Sequence, residues 1–328
     1  MSRIEPQTVE VGLSAAIITV HQDQPEVLVV RNRNNGCTHH DALPYGAFSP
    51  INHRTLEIGL RDWVQEQTGL NLGYVEQLYT FGDRGRHAQP RDTSPHVVSI
   101  GYLALISPEC EKPLGMAQWR SWYDYFPWED WRDGKPQLIT ETLEPLLSKW
   151  ADLPQPNASP SRPTDRMLRL RIAFGMDGGN WDEEKILERY EILYEAGLVE
   201  EAQRDGRGAA AQWRELPNLG LSMRFDHRRI MATSIARLRA KIKYRPVIFD
   251  LMEQEFTLFE LQKTVEAILG PHLHKQNFRR LVETAGLVQQ TGEVRVKTGG
   301  RPAKLYRFRP EVVLERPAPG VRVKTGRL

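Results

Sequence analysis

The chain has 328 residues, 40% of them hydrophobic, and its 44 basic and 42 acidic side chains leave a net charge of +2. That balance excludes a wholly polycationic or acidic disordered protein and calls for two or three domains with real cores. Cys37 and Cys110 give neither a disulfide framework nor a CxxC metal pattern, no apolar run reaches membrane-spanning length, and MSRIEPQTVE lacks a signal-peptide core, so a soluble cytoplasmic protein is expected. From the N-terminus, GLSAAIITV (12–20) and EVLVVRNR (26–33) read as two hairpin strands about a polar turn from His21 to Pro25. Leu56, Leu60, Trp63 and Val64 then mark the apolar face of a helix stopped by Gly69. VEQLYTFGDRGR (75–86) follows with a loop, and PHVVSIGYLALI (95–106) with another apolar strand.

Residues 46–70, GAFSPINHRTLEIGLRDWVQEQTGL, resemble the Nudix box, G-x5-E-x7-R-E-U-x-E-E-x-G-U with U apolar, in which helix-borne carboxylates hold Mg2+ against a diphosphate. Anchored on Thr68, Gly69 and Leu70, the box glycine falls on Phe48, the first glutamate on Arg54, the arginine on Asp62, the next glutamate on Trp63, and the final acidic pair on Glu66 and Gln67. A one-residue insertion would let Arg61 and Asp62 serve as the arginine–acid pair and still leave the set incomplete. Hard cations want several oxygen ligands, so no catalytic residue and no metal site are expected, Glu66 being the one weak candidate ligand. In the loop Gly82–Arg86, glycines let backbone amides approach an anion, and Arg84 and Arg86 beside Asp83 suit a diphosphate. Arg31 and Arg33, ending a strand that leads toward the same place, add charge. These five residues are the expected effector site.

The run Trp119, Trp122, Tyr123, Tyr125, Phe126, Trp128 and Trp131 could stack an adenine, though core packing is the commoner use of such residues. After a linker, LPQPNASPSRP (154–163 region), the helix DEEKILERYEILYEAGLVEEA sets Asp182, Glu191 and Glu195 near box-like positions. An amphipathic helix with solvated acids explains them equally well. The stretch could belong to a second Nudix-like half, or its YEAGLV could echo ETAGLV (283–288) as a winged-helix repeat.

Next, Ile230, Ile235, Leu238 and Ile242 form one stripe of a long helix broken by Pro246. Thr257 and Glu260 make a capping box for TLFELQKTVEAIL, which Gly270-Pro271 ends. KQNFRRLVETAGL gives a second helix with Phe278, Leu281 and Val282 inward, and LVQQTGEVRV and AKLYRFRP give two strands about KTGGRP. Helix, turn, helix, hairpin is a winged helix-turn-helix, whose second helix enters the major groove. Between 271 and 310 nine basic residues face two acidic ones, a net +7 that suits phosphate. The expected DNA-binding residues are Lys275, Gln276, Asn277, Arg279, Arg280, Arg295, Lys297, Arg301 and Lys304, with Gln276, Asn277, Arg279 and Arg280 at base edges. VRVKTG recurs at 294–299 and 321–326, the second copy in a basic tail read as mobile.

In TFGDRGR (80–86), VVSIGYLAL (97–105), FDH (225–227), ARLRAKIKYRP (236–246), FTLFELQKTVEAILG (256–270), KQNFRRLVETAGLV (275–288) and GRPAKLYRF (300–308) the chain resembles the Nudix-related transcriptional regulators of NAD metabolism, the NrtR-like family. With about a hundred extra residues at 107–210, its layout resembles the longer alphaproteobacterial NadQ branch. The resemblance implies an α+β chain: an N-terminal Nudix-like α/β/α sandwich with a large insertion (1–228), a connecting and dimerising helix (229–246), a C-terminal winged helix-turn-helix domain (247–310) and a basic tail (311–328). It further implies a homodimer on palindromic double-stranded operator DNA that represses NAD biosynthesis or salvage genes. The effector would be an adenine nucleotide (ATP, ADP-ribose or NAD), with or without Mg2+, and no cofactor is required. The alternative is an active Nudix pyrophosphohydrolase with an accessory basic domain.

Overall fold

The computed structural model describes residues 9–31, 40–83, 96–109, 112–154, 165–296, 302–315 and 318–321. Strands β1 (Val9–His21) and β2 (Gln24–Val30) form the expected hairpin. Gln22 and Asp23 close it at φ of 49° and 61°, the left-handed pair whose twist matches the flanking strands. With β3 (Tyr45–Ala47), β4 (Tyr74–Phe81), β5 (His96–Leu105) and β6 (Ala117–Ser121) they build a six-stranded sheet of order β4-β5-β1-β2-β6. β3 pairs the first half of β1 where β2 pairs the second, and β1 and β5 run parallel. β6 lies in the stretch that sequence reading gave to the insertion, so part of that stretch completes the sheet.

Alternation along β1 sends side chains to both faces. Leu13, Ala15 and Ile17 pack with Leu60 and Val64 of α1 (Leu56–Thr68), while Ala16 and Ile18 join the larger core on the other side. Thr55 caps α1 by accepting from the Ile58 N–H, and Gly69, at φ 74°, ends it. The aromatic run is core: Trp122, Tyr123, Tyr125, Phe126, Trp128 and Trp131 are all buried. Beyond it the described part of the insertion is helical, with α2 (Glu144–Ala151), α3 (Arg166–Phe174), α4 (Ile186–Glu195) and α5 (Glu200–Arg204). From 122 to 210 no strand occurs among the described residues, so this stretch has no sheet of its own there to make a second Nudix-like half. Gly197 and Gly286 both stop helices in the left-handed region, each followed by a buried leucine, yet a helix follows the first and a strand the second. The YEAGLV echo is a shared helix stop.

α6 (His227–Ile242) carries the expected stripe, with Ile230, Ile235, Leu238 and Ile242 fully buried. The helix is sheathed within its own chain, and from 228 to 242 only Arg237 is exposed. α7 (Leu258–Leu269), α8 (Lys275–Ala285), β7 (Val288–Arg295) and β8 (Ala303–Phe308) follow in the expected order, and both halves of the Thr257–Glu260 capping box form.

After the short α9 (Val312–Glu315) the tail does not run free. Pro319, Gly320 and Val321 are buried, and the Val321 N–H donates to the Ile242 carbonyl (2.8 Å), one of the groups a helix end leaves unsatisfied. A Cβ on Gly320 would lie 2.2 Å from the Tyr244 nitrogen. Gly320→Ala is therefore expected to lift this segment and cost about 1–3 kcal/mol as the carbonyl loses its donor, read as a lower urea midpoint with new proteolysis beside the substituted position. Residues 322–328 lie outside the described residues.

Candidate functional site

Two positions that the box reserves for metal-holding carboxylates are used for something else. The Trp63 Nε1–H donates to the Ala47 carbonyl (2.9 Å). One helical turn on, the Gln67 side chain donates to the Tyr45 carbonyl (2.6 Å) and accepts from the Tyr45 N–H (3.2 Å). α1 is thereby pinned to β3, and the Trp63 ring presses on Gly46, where a Cβ would come within 2.2 Å. Arg61 is held by Glu57 (2.8 Å) and the Leu72 and Gly73 carbonyls, while Glu66 is exposed. Among the described residues no group of three or more His, Cys, Asp or Glu is placed to hold a metal. The box residues present do not fit Mg2+, which needs several oxygens at close range. Gln67→Glu should set a carboxylate against the Tyr45 carbonyl, costing about 1–3 kcal/mol. Melting with and without Mg2+ checks this; the expected loss is the same in both.

Phe225, Tyr45 and His227 meet edge to face at the head of α6, with centroids 5.2–5.3 Å apart and Phe225 at φ 51°. The His227 Nδ1 accepts from the Leu43 N–H (3.0 Å), and Nε2 faces the Ser14 hydroxyl (3.3 Å). Alongside, the buried Asp41 accepts from Arg31 (2.8 Å) and the Tyr125 hydroxyl (2.6 Å) and pairs with Arg120 (3.1 Å). Burial, then the Asp41 carboxylate, push the Tyr125 phenol up. The Arg224 guanidinium lies 5.0 Å from the Phe225 ring centre. Two partly exposed aromatic rings beside three arginines suit a planar base with a phosphate.

Of the expected effector residues, Arg31 stands at the end of β2 in its ion pair with Asp41. Asp83 is ion-paired with Arg229, which also holds Glu191 (2.6 Å) and Asp226 (3.2 Å). Arg33, Arg84 and Arg86 lie outside the described residues. Sequence reading missed Asp41, Tyr45, Arg120 and Arg229, and FDH was its only pointer to Phe225. The acids at 182, 191 and 195 are engaged with neighbours: besides Glu191 on Arg229, Glu195 pairs with Arg169 (2.7 Å) and Asp182, before α4, accepts from the Glu184 N–H (3.0 Å). They form no metal-binding face.

On α8, Lys275, Gln276, Asn277, Arg279 and Arg280 are exposed, and Phe278 and Val282 are buried against the module. Arg279 pairs with Glu283 on the same helix (2.9 Å). Arg295, partly exposed, is engaged by acids of its own chain. It binds Glu260 (2.9 Å), Glu253 (3.2 Å) and the Glu255 carbonyl (3.0 Å), fixing the wing to the head of α7. Lys304 donates to Gln290 (3.3 Å), and Lys297 and Arg301 lie outside the described residues.

The turn into α8 is organised by Glu266, which accepts from the Leu273 N–H (2.9 Å), Gln262 (2.8 Å) and Lys263 (3.0 Å) and lies 3.3 Å from His272. Burial opposes its charge, yet these donors together hold the carboxyl below its usual range. A depressed carboxyl contributes stability that is present above its unfolded value and lost as pH falls through the folded one. Acidification below the ordinary carboxylate range should loosen this turn, and Glu266→Gln should flatten that part of the stability–pH curve.

Residues 248–308 match the NrtR DNA-binding winged helix domain. Over 90 residues the chain is 42% identical to the ADPR responsive transcriptional repressor NtrR of Acinetobacter baylyi, a stretch covering 27% of this chain and 36% of that protein. The match thus spans about a third of that relative's length. Over 93% of this chain and 95% of the other, the fold is similar to Shewanella oneidensis NrtR crystallised with a 27mer DNA (TM-score 0.54, 21% identity). A MutT/nudix family protein from Enterococcus faecalis gives a TM-score of 0.53 at 16% identity, covering 94% of this chain and 90% of that one. The chain thus shares the fold of these two structures, an α/β/α domain joined to a winged helix, and its winged helix is similar to that of NrtR.

Proposed function

We propose that this NrtR-like chain is a DNA-binding transcriptional repressor of NAD biosynthesis or salvage genes that senses an adenine nucleotide in its Nudix-like domain and does not hydrolyse it. One observation carries the reading: a winged helix with exposed polar and basic α8 side chains shares a chain with a Nudix-type box whose Trp63 and Gln67 pin the box helix to β3. A site so pinned binds a diphosphate through arginines rather than through a metal. ADP-ribose is the first effector to try, because the Acinetobacter relative is described as ADPR responsive; ATP and NAD follow.

In this reading Arg31, Asp83, Arg120, Arg224 and Arg229 surround the phosphates, and Tyr45 and Phe225 flank the base. Arg33, Arg84 and Arg86, close to Arg31 and Asp83 in sequence, add to the same charge. Lys275, Gln276, Asn277, Arg279 and Arg280 meet the duplex, with Lys297, Arg301 and Lys304 along the wing. A homodimer sets two α8 helices at the half-sites of a palindromic operator, and the domains divide near 228, 246 and 310.

The test is a gel-shift titration of operator DNA with ADP-ribose, ATP and NAD, run beside an assay of Mg2+-dependent ADP-ribose turnover. The expected result is an operator affinity that changes with one nucleotide and no turnover. Turnover of roughly one per second or faster would instead make the chain a hydrolase. Unchanged operator affinity with all three would end the sensor reading.

A further inference from the structure

Glu129, Arg189 and Arg239 form a charge cluster sealed from solvent, each at most 1% exposed. Both Glu129 oxygens bind Arg189 (2.5 and 2.9 Å), and one of them also binds Arg239 (2.6 Å). The three residues come from the aromatic segment, α4 and α6. Arg239 reaches further: its Nη1 donates to the Glu183 carbonyl (2.8 Å) and its Nε to the Ile268 carbonyl (2.8 Å), in the last turn of α7. The neighbouring Ala267 carbonyl accepts from the Tyr123 hydroxyl (3.0 Å).

The last turn of a helix leaves its carbonyls without intrahelical donors and carries the negative end of the helix dipole. Here a guanidinium and a phenol from the other module fill that role, so α7 is plugged into the body of the protein at the end that leads to α8. Nearby the two modules part into a polar cleft of about 260 Å3 lined by Asp23, Gln24, Arg132, Asp133, Lys263 and His272. Arg239 Nη2 is buried without an acceptor among the described residues.

α6 joins this plug to the candidate effector site. His227, Arg228 and Arg229 at its head touch Leu43, Glu201 and the Asp83 loop, and Arg239 lies three turns on, ~18 Å along the axis. A helix sheathed on nearly every side moves as a rod. We propose that nucleotide occupancy at the head of α6 sets the orientation of α8 through the plug at Ala267 and Ile268, with Arg239 as its positioning residue. This rests on the sensor reading above and adds the route.

The test compares the full-length wild type with Arg239→Met, Arg239→Lys and Tyr123→Phe. Operator binding is measured by gel shift with and without ADP-ribose, and amide hydrogen exchange is followed in residues 266–270. The wild type should change operator affinity ~5–150-fold on adding ADP-ribose, with altered exchange in 266–270. Arg239→Met and Tyr123→Phe should keep both nucleotide and DNA binding while losing most of that factor and the exchange change. Variants that respond by the wild-type factor would overturn the proposal and leave the sensor reading standing. Should Arg239→Met fail to fold, Tyr123→Phe and Arg239→Lys decide in the same way. A wild type that does not respond to ADP-ribose, ATP or NAD overturns both readings together.

Discussion

Glu129→Ala should cost about 3–5 kcal/mol and produce the largest loss of stability of any single substitution named above. The carboxylate is the shared partner of two guanidiniums, and both are buried as deeply as it is. Without it Arg189 keeps the Ala173 and Asp182 carbonyls and Arg239 keeps those of Glu183 and Ile268, so the hydrogen bonds survive while two positive charges face each other in an apolar surround. Burial already pushes Arg189 below the usual arginine range with the carboxylate present. Urea unfolding at constant slope reads the loss as a shift in midpoint. A charge-free replacement, Glu129→Leu with Arg189→Met and Arg239→Met, should recover much of it, because desolvation offsets most of what such a cluster contributes. Equal instability of the single and triple variants would mean that shape, rather than charge, holds this junction.

Arg280→Ala should weaken specific operator binding by about 1–3 kcal/mol, a loss of up to ~150-fold, and relax discrimination at one base position. Arg280 stands on the outward face of α8, opposite the buried Phe278 and Val282. Lys275→Ala, at the first turn of the same helix, should instead weaken binding on every sequence alike and lower the salt slope by about one. Arg295→Ala belongs to neither class, since its guanidinium is occupied by Glu253 and Glu260. Its expected effect is a loosened wing, visible as a lower melting temperature without DNA. Operator affinities measured across a salt series separate the three.

The reading head was legible in the sequence because each part signals locally: a capping box, glycine stops and period-2 strands are written within a few residues. The β1–β2 hairpin and the box helix were legible for the same reason. β3 and β6 were not, being short strands of three and five residues without clean alternation, whose place in the sheet is set by partners far along the chain. The aromatic run could be assigned to the core because seven large rings in thirteen residues are hard to keep wet. The candidate effector site was only half legible. Arg31 and Asp83 could be named, but their partners Asp41 and Arg229 become meaningful only when β2, α6 and the loop before β3 converge. Arg295 shows the opposite failure: a wing arginine invites a phosphate, and only the fold brings Glu253 and Glu260 to it.

The docked segment at 319–321 changes how the reading head can move. A domain on a single linker swings and twists about one tether. Here the chain leaves α6 for the winged helix and returns to the same end of α6, where Val321 meets Ile242, while Arg239 grips Ile268 a turn earlier. With the Tyr123 hydroxyl on the Ala267 carbonyl as a further hold, the head is tied to the body at several points on one side. Any movement of α8 must therefore repack these contacts, so the head changes position together with the body rather than independently of it.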